Sequence, residues 1–168
     1  MRDSKVGIGN SHPSWVLHMA NRPELEAFQH EIFRQLKQGE AADVISQTSN
    51  HWRKVFSIMA KISFALFDTG CDTWQQYRDT KLLTEQGYEA IYWQPYSAQT
   101  ATDLSLICGF TYAETQIELA RLLPHLDQPK LLMAESKDLI VTPYFDWRQL
   151  NNETLSYLVK VMQSWLEK

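Results

Sequence analysis

Leu139-Ile140-Val141-Thr142-Pro143-Tyr144-Phe145-Asp146-Trp147-Arg148-Gln149-Leu150-Asn151-Asn152-Glu153-Thr154 reads as a buried strand, a crowded aromatic turn and a capped helix. The apolar, partly β-branched residues before Pro143 predict a strand that stops at Thr142, because proline has no N–H to give to a ladder. Asn151 or Asn152 can accept the first free amides of a helix, and Glu153 suits its positive end. Ligands of open α/β sheets sit at the carboxyl ends of strands. Thr142 to Arg148 is therefore the expected functional edge.

Outward from that stretch, 168 residues at 44% hydrophobic and 21% charged describe one soluble globular domain with room for a sizeable core. A formal net charge of −4 disfavours wrapping nucleic acid by bulk electrostatics, though it permits a local basic patch. Cys71 and Cys108 stand far apart without metal-ligand spacing, which points to reduced thiols in a cytoplasmic protein. No apolar run approaches the ~20 residues that span a bilayer. The scattered histidines give no metal site, and no motif implies a cofactor.

Residues 1–14, polar and rich in Gly, Ser and Asn, read as an irregular arm. Trp15 to Ala20 is a short apolar run suited to a strand buried on both faces. His18 within it is expected to be a satisfied core residue. From Pro23 the spacing of Leu25, Phe28, Ile32, Phe33 and Leu36 predicts a helix closed by Gly39. Ala41 to Ser49 is ambiguous. Trp52, Val55, Phe56, Met59, Ile62 and Leu66 then mark a strong amphipathic helix from Asn50 to Phe67. That segment holds Arg53, Lys54 and Lys61 and no acid, the pattern of either a phosphate-facing helix or a solvated face. A short helix is predicted from Asp72 or Thr73. Tyr88 to Trp93 is a strand or an extended connection, Leu104 to Cys108 a strand, and Thr111 to Leu123 a helix. Lys130 to Ala134 and Leu139 to Thr142 form a strand pair, and an amphipathic helix ends the chain. The alternation predicts an α/β fold in three layers, with four or five mostly parallel strands and helices on both faces. Strands near Val16, Ile107 and Val141 should be adjacent or nearly so.

No phosphate loop, dinucleotide fingerprint, nucleophile elbow or H-E-x-x-H is present. What remains is a set of strand ends: Ala20-Asn21-Arg22-Pro23, Gly109-Phe110 and Thr142 to Asp146. With Asn50-His51-Trp52-Arg53-Lys54-Val55, and a strand, Gly, helix unit over Leu104 to Leu123, the chain resembles the uracil-DNA glycosylase superfamily, most of all its mismatch-specific branch. The resemblance covers most of the chain in order, through short motifs. It implies Asn21 as the residue that orients water. Arg22, Tyr144, Phe145, Asp146, Trp147 and Arg148 would line the base site, and Arg53, Lys54 and Lys61 would meet phosphates. The partner it implies is a base, a nucleotide or nucleic acid. Where that family ends its last strand in a His, Asn or Ser that touches the flipped base, this chain has Tyr144-Phe145-Asp146-Trp147. The glycine-rich turn after the first strand is replaced by Asn21-Arg22-Pro23. Binding with weak or lost excision is the expectation. The alternative is an interaction or oligomerisation module, in which Tyr144, Phe145 and Trp147 serve as core or contact residues.

Overall fold

The computed structural model describes residues 5–97 and 104–167. Its strands are β1 (Gly7–Gly9), β2 (Trp15–His18), β3 (Phe33–Arg34), β4 (Glu89–Tyr92), β5 (Ser105–Cys108), β6 (Leu123–Pro124), β7 (Leu132–Met133) and β8 (Leu139–Thr142). The helices are α1 (Glu40–Gln47), α2 (Asn50–Leu66), α3 (Trp74–Thr80), α4 (Phe110–Gln116) and α5 (Asn152–Leu166). All strands join one mixed sheet in the order β3-β1-β4-β2-β5-β8-β7-β6. The middle four, β4-β2-β5-β8, are parallel. The expected neighbours around Val16, Ile107 and Val141 are adjacent.

Alternation along the parallel strands divides the core into two layers. Trp15, Leu17, Ile91, Leu106 and Ile140 point to one face, where α1, α2, α3 and α5 cover them with Val44, Phe56, Met59, Tyr77 and Leu158. Ile107, Leu139 and Val141 point to the other, where Ala113 and Phe110 of α4 and the following chain pack. The second face thus carries only one short helix among the described residues. Asn151 caps α5, its Oδ1 accepting the Thr154 amide at 2.9 Å, and Thr73 caps α3 in the same way at 3.1 Å.

Four or five strands were expected and eight are present among the described residues. The five apolar runs all pair, and three short strands join them. One of these, β1, overturns the reading of residues 1–14 as an irregular arm, although residues 1–4 lie outside the described residues. Gly7 and Gly9 are strand residues: a Cβ on Gly9 would sit 2.4 Å from Ala90 Cα, and one on Gly7 would sit 1.9 Å from the Ile91 carbonyl oxygen. Their bareness lets β1 lie against β4.

The predicted helix from Pro23 is also absent, with one 3₁₀ turn at Glu26–Phe28 in its place. Side chains satisfy that backbone instead. The Arg22 guanidinium donates to the carbonyls of Phe28 and His30 at 3.3 Å each, and the Gln29 amide donates to those of Pro23 and Leu25. Phe33–Arg34 is drawn to the sheet edge beside β1. Gly39, at φ +83°, starts α1 rather than ending a helix. The helix predicted over Thr111 to Leu123 stops at Gln116, because Leu123–Pro124 pairs antiparallel with β7.

Candidate functional site

Three parallel strands, β2, β5 and β8, deliver their carboxyl ends to one edge of the sheet. From β2 the chain goes on to β4 on one side, and from β5 to β8 on the other, so the order reverses between β2 and β5. Such a switch point leaves a crevice, because the chain leaving β2 and the chain leaving β5 turn to opposite sides of it. Here it is a cleft of about 570 Å³ lined by Ala20 and Asn21 after β2, by Cys108, Gly109 and Phe110, Thr111, Tyr112 and Thr115 of α4, and by Tyr144 and Gln149 after β8.

Tyr144 is held on two sides. Its hydroxyl donates to Asn21 Oδ1 at 3.1 Å and shares a 2.6 Å hydrogen bond with His51 Nε2. The His51 ring stacks on Tyr144 with centroids 5.4 Å apart and 16° between planes. With Tyr144 donating to Asn21, His51 must carry its proton on Nε2. Burial, helped by Lys54, lowers the His51 pKa, so the ring is neutral at pH 7. Burial also raises the Tyr144 pKa, which keeps its hydroxyl protonated. Gly109, at φ +93°, turns β5 into α4, and a Cβ there would come within 3.3 Å of the Tyr144 ring.

No charged side chain lines this cleft among the described residues; aromatic rings, hydroxyls and the amides of Asn21 and Gln149 do. Cys108 is buried, accepts the Phe145 amide at 3.3 Å, and has its thiol pushed up to about 12 by burial. It is inert as a nucleophile at neutral pH. A smaller cavity of about 280 Å³ abuts Asn21 from the other side, lined by Arg22, Glu24, His51, Trp52 and the Gln47 to Ser49 stretch.

The expected site residues separate into groups. Asn21 and Tyr144 meet directly. Phe145 is fully buried and belongs to the core beneath the edge, so it cannot line a base site. Arg22 spends its guanidinium on Phe28, His30 and Glu31, and lies over Trp93. Asp146 organises the turn: its carboxylate accepts the Arg148 amide at 2.9 Å and faces Lys54 at 3.3 Å. That amide, and then Lys54, hold it below the usual carboxylate range. Trp147, 44% exposed, lies under Lys54 and outside the cleft lining, and Arg148 is exposed on the same turn. Lys61 projects over Trp74, about 10 Å further along α2 than Lys54. Arg53, Lys54 and Lys61 therefore do not form one rim of the cleft. His51 was not among the expected site residues. It stands at the start of α2, one residue before the core-facing Trp52, and only the tertiary contact with Tyr144 marks it.

Among the described residues no group of His, Cys, Asp and Glu side chains could hold a metal ion, and no helix is long and apolar enough to cross a membrane. Fold and cleft together define a doubly wound α/β protein with a neutral, aromatic switch-point crevice. The model of a family of unknown function, DUF6942, matches residues 6–163, and the chain belongs to that family. No curated protein and no solved structure matches it.

Proposed function

We propose that the switch-point cleft binds a nucleobase, free or carried by a nucleotide or nucleic-acid strand, and that the chain is a glycosylase-like binding domain in which excision is weak or lost. The observation that carries this reading is the lining itself. Phe110, Tyr112 and Tyr144 offer rings for stacking, Asn21 and Gln149 offer amides that match base edges, and among the described residues no charged side chain of the lining would lose its hydration to a neutral heterocycle. The sequence resemblance supports the same ligand class through Asn21 at the end of the first parallel strand.

Excision needs a group that activates or orients water and donors for the charge leaving with the base. The Asn21 amide N–H groups are donors here, while the single proton of the Tyr144 hydroxyl is given to Asn21 Oδ1. A carboxylate in the cleft is lacking among the described residues, since Asp146 is engaged with Lys54 and the Arg148 amide. Neutral His51, bonded to Tyr144, positions that hydroxyl.

Calorimetric titration with free bases and nucleosides tests the proposal. Saturable binding is expected, weakened by roughly tenfold in Asn21→Ala and in Tyr144→Phe, the size of one lost hydrogen bond in a sheltered site. A uracil-containing or mismatched oligonucleotide should bind with a shallow salt dependence, near the roughly 0.7–0.9 per neutralised phosphate of a single contact, because the cleft brings no cation of its own. Failure of every base, nucleoside and oligonucleotide to bind would overturn the reading.

A further inference from the structure

A second cavity, of about 630 Å³, opens between the β6–β7 hairpin and α5 and shares no lining residue with the switch-point cleft. Leu123, Met133, Val161 and Trp165 give it an apolar lining. Large hydrophobics exposed among the described residues are Ile32, Leu123, Leu126 and Trp147, and two of them border this groove. Leu126 is 96% exposed at the tip of the loop after β6. Apolar groups gathered at a groove mark an interaction surface, whereas single scattered ones do not.

The loop presents Leu126 in a fixed way. His125 Nδ1 accepts the amides of Asp127 and Gln128 at 3.0 and 3.1 Å, and Leu131 closes the loop by accepting the His125 amide at 2.9 Å. Gln128 is tied to α5 through the Thr154 hydroxyl at 2.9 Å, and the His125 ring meets Tyr157 edge-on at 5.4 Å. A leucine held outward beside an apolar hole is both the knob and the hole of one contact.

We propose that this face is the interface of a symmetric homodimer, each copy seating Leu126 in the groove of the other. The charges on the rim are self-complementary, which suits a second copy. Asp127 and Glu135 share the rim with Lys160. A two-fold axis can set the acids of one copy against Lys160 of the other, whereas a partner of a single sign would meet repulsion along part of the rim. Pro124, which has no N–H, sits on edge strand β6 and discourages sheet extension from chain to chain. The contact is made by side chains and closes at two copies.

Sedimentation equilibrium of the full chain across the micromolar range tests this, independently of whether the cleft binds a base. A reversible dimer is expected. Leu126→Glu and Lys160→Glu should each raise its dissociation constant by roughly tenfold or more. Their melting should be unchanged at a concentration where the wild type is monomeric, because both side chains are on the surface. A monomer at every concentration, a dimer indifferent to both substitutions, or a species that keeps growing with concentration would overturn the proposal.

Discussion

Tyr144 shows how one hydroxyl can be fixed by groups far apart in the chain: Asn21 after the first parallel strand, His51 at the start of α2, and its own strand end. Asn21 and Tyr144 were legible in the sequence because both follow an apolar run ended by a nearby proline. His51 was not, because nothing local says that α2 begins over the carboxyl edge of the sheet. The second informative residue is His18, expected as a satisfied core histidine. It is fully buried against Tyr92, Tyr96 and Ser105, but among the described residues only Nε2 has a hydrogen-bonding neighbour, the Ser105 hydroxyl at 3.4 Å, and Nδ1 has none. Burial lowers its pKa to about 4, against about 6.5 in an unfolded chain. The neutral ring is the form the fold accepts. Its stabilisation is therefore fully present above pH 6.5 and is lost as pH falls from there towards 4. The loss amounts to about 3 kcal/mol at its full extent. No carboxylate faces the ring among the described residues to offset this. Urea midpoints at pH 7 and pH 4.5 should show a drop in the wild type that His18→Phe reduces by most of that amount. Equal drops in both proteins would assign the acid sensitivity to other groups.

Among elements, the long helices, the short helix α3 and the five apolar strands were legible from periodicity and capping, and the other short elements were not. β1 carries two glycines in three residues, a composition that reads as loop until the neighbouring backbone is known. The segment after Pro23 has helical spacing, yet Arg22 and Gln29 capture its carbonyls, a tertiary outcome that spacing cannot encode. Gly9→Ala should separate β1 from β4 and cost about 3 kcal/mol, combining overpacking with strain at φ +132°. Chemical denaturation measures this directly. A change within error would mean that β1 contributes nothing to the sheet. Glu89 binds the same region from the other side. Its buried carboxyl accepts the hydroxyls of Ser63 and Tyr77 and the amide of Leu83, joining α2, α3 and β4. Burial raises its pKa despite those donors, so this group favours the folded state most below the unfolded carboxyl range and less as pH rises. It therefore opposes His18 in the pH profile.

For the molecule as a whole, the α/β class and the adjacency of β2, β5 and β8 followed from alternating short and long apolar patterns, but the full strand order did not. That order makes the cleft, because the reversal between β2 and β5 opens the crevice that Asn21, Tyr144 and Gln149 share. The expected cluster of Arg53, Lys54 and Lys61 dissolved for the complementary reason: charges spaced along one helix face different neighbours once Trp74 and Asp146 are packed beside it. The central claim is that the cleft accepts a neutral base. Amide chemical-shift mapping on the labelled chain, titrated with nucleosides and then with inorganic phosphate, tests it most directly. Saturable shifts confined to Asn21, Gly109, Phe110 to Thr115, Tyr144 and Gln149 are predicted for at least one nucleoside, with none there for phosphate. Shifts elsewhere with an unperturbed cleft, or no saturable shift with any nucleoside, would contradict the account.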